Sequence, residues 1–152
     1  MDHQHAHGRV GWPAAAQATL HCLTGCAIGE VLGMVIGTAL GWSALATVVL
    51  AVGLAFVFGY ALTVRGVLRA GLPFRAAVRV ALAADTFSIA VMELVDNGVM
   101  VAVPGAMDAG VTSGFFWGSL AVALAVAFVV ALPVNRWLMS RGRGHAVVHA
   151  AH

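Results

Sequence analysis

Of the 152 residues, 61% are hydrophobic and only 9% are charged, and the mean hydropathy is +0.95. A water-soluble domain of this size needs far more polar surface to cover one core, so a soluble globular class is excluded. The net charge is +2, and all eight basic residues are arginine. These arginines cluster at the edges of apolar runs, so charge implies no nucleic-acid partner.

The chain opens with a His-rich tail, residues 1–13, in which His3, His5 and His7 alternate with other residues. Imidazoles spaced this way can collect a divalent metal, and His3 next to the free amine suits square-planar copper. The first apolar run, 14–40, continues past the length of a signal-peptide core and ends in no small-residue cleavage site. Three further runs follow, at 44–64, 76–103 and 115–139. Each reaches the roughly 20 residues that a helix needs to cross the hydrocarbon layer. The expected fold is all-α: a bundle of four transmembrane helices spanning 14–139, closed by an Arg/His-rich tail, 140–152.

Arginine placement predicts the orientation. Arg9 precedes the first span; Arg65, Arg69, Arg75 and Arg79 flank the second link; Arg136, Arg141 and Arg143 follow the fourth span. With four spans these positions share one side, while the opposite links carry only Asp108. The positive-inside rule then places both termini in the cytoplasm.

Ionisable residues inside a membrane are costly and point to function. The first span holds His21, Cys22, Cys26 and Glu30 in HCLTGCAIGE; the third holds Asp85, Met92, Glu93 and Asp96 in DTFSIAVMELVDN. At roughly 100° per residue, Cys22, Cys26 and Glu30 fall within about 80° on one helical face. Asp85, Met92 and Asp96 lie within about 40° on theirs, with Met100 and Glu93 beside them. Both helices run the same way, so the two stripes overlap in depth. Gly25, Gly29, Gly33 and Gly37 form a small-residue ridge that suits close helix packing, within the chain or between copies.

Thiolates and thioethers select copper(I) or zinc, and imidazole accepts either. The expected ligands are therefore His21, Cys22 and Cys26, with Met92 and Met100 auxiliary. Glu30, Asp85, Glu93 and Asp96 form a carboxylate path. Taken singly, each residue has a plainer reading as core filling or as a hydrogen-bonded interfacial group. No nucleophile with a base, phosphate loop or HExxH pattern is present, so no enzyme is expected.

The runs HCLTGCAIGE, ADTFSIAVMELVDN, PGAMDAG and PVNRWL, with the GRGHA tail, resemble a bacterial family of short membrane proteins known only as a domain of unknown function. The resemblance spans about residues 14–149 and implies a four-helix membrane fold in the bacterial inner membrane. It implies no activity.

The leading expectation is an inner-membrane protein that binds or transports a soft cation, copper first and zinc second. The alternatives are a proton or alkali-cation pathway on the carboxylates, and a non-catalytic scaffold. The expected partners are the lipid bilayer, a metal cation and a second copy of the chain. A fluorescent protein fused after His152 should fold and fluoresce in cells. A reporter active only outside the cytoplasm should work when inserted within 104–113, and the reverse pattern would overturn the orientation.

Overall fold

Each apolar run folds as one helix in a computed structural model that describes residues 11–140. The helices are α1 (Trp12–Ala39), α2 (Ala44–Arg69), α3 (Phe74–Ala102) and α4 (Gly114–Ser140). The expected all-α, four-helix fold is the one observed. The largest boundary difference is at α2, which runs to Arg69 rather than residue 64. Arginine is a good helix former, and its long stem lets the charge reach the surface, so the helix need not stop at Arg65.

Local chemistry explains the short links. Pro13 sits in the first turn of α1, where a missing N–H costs nothing. Just beyond α1 and α2 stand Gly41 and Gly71, with φ of 67° and 95°, the left-handed conformation that ends helices. Ser43 caps α2 by accepting from the Ala46 N–H at 3.3 Å.

Three helices, α1, α2 and α4, are long and apolar enough to cross a membrane. The fourth, α3, has 29 residues and is as long as any of them, but its acidic stripe lowers its hydropathy. Those acids are buried in the bundle, with Asp85, Glu93 and Asp96 each at most 5% exposed. Polar composition and inward burial are thus two sides of one fact.

The α1 ridge packs on α2 inside the chain. Gly25, Gly29, Gly33 and Gly37 face Gly59, Ala55, Ala51 and Thr47 in turn, an antiparallel register maintained over three successive four-residue steps. A Cβ on Gly25 would lie 2.8 Å from the Gly59 Cα, and one on Gly29 would strike the Ala55 backbone. On α4 a second ridge, Ser119, Ala123, Ala127, Ala131 and Asn135, also turns inward. Small residues let the backbones approach closely, which is the main source of helix attraction in lipid.

The start of α1 meets the end of α4. The Arg136 guanidinium lies 4.2 Å over the Trp12 ring, and Ala15 and Ala18 pack with Met139. The start of α1 and the end of α4 therefore share one end of the bundle, as expected for four spans. The described arginines Arg65, Arg69, Arg75, Arg79 and Arg136 gather towards that same end. Trp12 and Trp137 stand half-exposed there, and Trp42 and Trp117 stand half-exposed at the opposite end, matching the aromatic belts of membrane proteins.

Gly29→Ala should lower stability by about 1–3 kcal/mol, because the neighbouring backbone must move. Gly53→Ala, with nothing within 4 Å of the new carbon, should be neutral or mildly stabilising. Thermal unfolding in detergent micelles would compare the two.

Candidate acid–thiol site

The inner face of α1 has two edges. Glycines form the edge against α2, and Cys22, Cys26 and Glu30, about 100° further round, form the edge towards α3. Both thiols are free and buried. On α3, Ser88, Met92, Glu93 and Asp96 are buried at matching depths. The two polar stripes expected from helical spacing do face each other.

The contacts run in register along the two parallel helices. Ser88 Oγ donates to Cys22 Sγ at 3.5 Å. Cys22 and Cys26 lie within hydrogen-bonding reach, and Cys26 is in reach of Glu93. Asn97 Nδ2 donates to the Glu93 carbonyl at 2.8 Å and to Glu93 Oε2 at 3.3 Å. That fork fixes Glu93 beside the thiol. Met92 packs in the same cluster as both cysteines.

One turn further along, the Glu30 and Asp96 side chains meet. Both present acceptor oxygens, and neither Glu30 Oε2 nor either oxygen of Asp96 finds a hydrogen-bond donor. A carboxyl pair facing without a donor is stable in a low-dielectric interior only with positive charge, a proton or a cation, between its members. The inner faces of α2 and α4 at this depth present only Ala51, Ala55, Ala123 and Ala127.

Other expected ligands lie elsewhere. His21 is on the exposed side of α1, a step of about 100° from Cys22, and does not join the thiol cluster. Asp85 is buried, but about 12 Å of helix rise separates it from Glu93, so the carboxylates do not form one group. Met100 packs with Met34, Phe116 and Leu120 in an apolar cluster at the far end of the bundle. His3, His5 and His7 lie outside the described residues. Among the described residues no three His, Cys, Asp or Glu side chains are arranged as a ready metal site.

Spacing arguments centred on ionisable residues missed three polar groups. Asn135 Nδ2 donates to Thr19 Oγ1 at 2.9 Å, tying α4 to α1, and Thr19 Oγ1 donates to the Ala15 carbonyl at 2.7 Å. Ser88 is the third. Their signal was position rather than chemistry: Asn135 continues the alanine ridge of α4, and Ser88 lies one turn after Asp85. Between α2 and α3 a groove of about 570 Å³ is lined by Val48, Val52, Phe56 and Leu94 and reaches Glu93 and Asn97.

Fold and site together define a helical membrane protein with an acid–thiol cluster buried between two parallel helices. Residues 11–144 match the family described as Domain of unknown function (DUF4396), and the chain belongs to that family. No curated protein and no solved structure matches it.

At 2% and 1% exposure, Cys22 and Cys26 should resist a bulky maleimide in native detergent-solubilised protein and label fully after unfolding in SDS. Rapid native labelling of either would contradict this packing.

Proposed function

We propose that the protein binds a soft cation inside the bacterial inner membrane, copper first and zinc second, as a non-enzymatic carrier with its termini in the cytoplasm. Cys22 and Cys26 supply thiolates, Glu93 a carboxylate and Met92 a thioether, a donor set that favours copper(I) or zinc. Glu30 and Asp96 provide the next acidic step along the bundle. The observation that carries this reading is the meeting of the α1 and α3 stripes: Cys26 lies within reach of both Cys22 and the Glu93 carboxyl, and a donorless acid pair lies one turn beyond. Loading draws the thiols and Glu93 together, since among the described residues they are not already arranged around one point. Four helices are few for a whole transport path, and a second copy of the chain would enlarge it.

A second reading is favoured by the acid pair itself. Facing acceptors accommodate a proton or an alkali cation without rearrangement, and the thiols then play no part.

Elemental analysis of purified protein after copper(I) or zinc loading separates the two. Cys22→Ser with Cys26→Ser should weaken binding by at least about tenfold, the scale on which metal sites respond to altered ligand environments. Full stoichiometry in that double variant would reject the thiol site. Proton or sodium flux in liposomes that persists in it, but fails in Asp96→Asn, would favour the second reading. Metal-free protein that co-purifies with a larger complex would point to a scaffold.

A further inference from the structure

Polar and apolar contacts are unequally distributed along the bundle axis. From the end that carries both termini, a seam of polar side chains leads inward. Arg136 is followed by Asn135, which donates to Thr19. Cys22 stands one turn after Thr19 on the same helix and accepts from Ser88. Cys22 adjoins Cys26, and Cys26 adjoins Glu93. Thr63 of α2 is buried near the same level as Thr19, and its hydroxyl has no partner. The level follows from register: Gly59 faces Gly25 and Ile89, and Thr63 is one turn nearer the termini.

Beyond Glu30 and Asp96 the buried polar side chains thin to two hydroxyls among the described residues, Ser119 and Thr47. Met34, Met100, Phe116 and Leu120 close the far end, with Ala106 of the α3–α4 link, residues 103–113, tucked beneath them. Phe116 is 1% exposed and Ala106 is fully buried. A desolvated cation crosses polar side chains far more readily than aromatic and aliphatic groups, since apolar surroundings replace none of its hydration.

We propose that the acid–thiol site is loaded from the terminal end: Thr19, Ser88 and Asn135 are positioning residues that line its entry, and Phe116 with Leu120 seals the opposite end. This deepens the cation reading above and rests on it, because it assigns that cation an approach. The polar groups supply oxygen contacts in sequence. Phe116 contributes the largest plug surface, and it packs edge-on against Trp117 with ring centroids 5.5 Å apart, which anchors it at the membrane boundary.

Silver ion tests the route, being small, soft and thiol-reactive. Sealed vesicles of each orientation would receive a brief silver pulse and then a chelator wash, after which SDS-unfolded protein is labelled with maleimide to count the remaining thiols. Silver applied on the terminal side should protect Cys22 and Cys26, and silver on the far side should leave them free. Asn135→Leu, with Thr19→Val as a second variant, should slow capture from the terminal side about tenfold, the size of effect expected from losing one interhelical polar contact. Phe116→Ala, with Leu120→Ala as its alternative, should admit silver from the far side.

Equal protection from both sides, protection from the far side only, or no protection from either would overturn the proposal. So would terminal-side capture that neither Asn135→Leu nor Thr19→Val slows. One-sided silver capture in a protein whose Cys22→Ser, Cys26→Ser form keeps full copper or zinc content would leave the route standing and remove the function assigned to the thiols.

Discussion

Hydrocarbon offers no water, and every polar atom placed in it must find a partner within the protein. That constraint organises this molecule. Two cysteines and a glutamate on α1, and a serine, a glutamate and an aspartate on α3, can be buried together only if the two helices turn those edges towards each other. The observed register does so, with Cys22 at Ser88, Cys26 at Glu93 and Glu30 at Asp96. Rotating α1 by half a turn would expose both thiols and a carboxyl to lipid, at a cost of several kcal/mol per unsatisfied group.

The rest of the fold makes this pairing possible. In lipid, helices gain nothing from hiding apolar surface, so attraction comes from close backbone contact and interhelical hydrogen bonds. The glycine edge of α1 seats against Ala51, Ala55 and Gly59 of α2, which holds α1 in one rotation. The alanine edge of α4 and the Asn135–Thr19 bond constrain the same helix from the other side. With both flanks occupied, the remaining edge of α1 has only α3 to meet. Small residues thus set the distance between helices, and small and polar residues together set the rotation of α1.

Chemistry is graded along the bundle axis. Arginines and tryptophans mark the terminal end, followed by hydroxyl and amide groups and the Asp85 carboxyl, then the thiols with Glu93, then Glu30 and Asp96, and finally a largely apolar cap. Soft and hard donors adjoin through Cys26 and Glu93. Asn97 orients the glutamate at this junction through two hydrogen bonds from one amide nitrogen. A cation at that position would meet sulfur on one helix and oxygen on the other, which is the physical basis for reading the cluster as an ion site.

Composition and period were enough to establish four long helices, their common end for both termini, and the inward stripes of α1 and α3. Each of these follows from local rules: hydrocarbon thickness sets helix length, and 3.6 residues per turn sets which side chains share a face. Which partner each face takes is not local. The glycine ridge could serve a contact within the chain or between copies, and only packing assigned it to α2. The turn of His21 away from Cys22 and the rise between Asp85 and Glu93 follow from helical geometry alone, whereas the placement of Met100 in an apolar cap depends on neighbouring helices. The same holds for Thr19, Ser88 and Asn135, whose side chains are ordinary in sequence and acquire meaning from the groups opposite them. Spacing along one helix determines direction, whereas the identity of the facing side chain is decided by how all four helices pack.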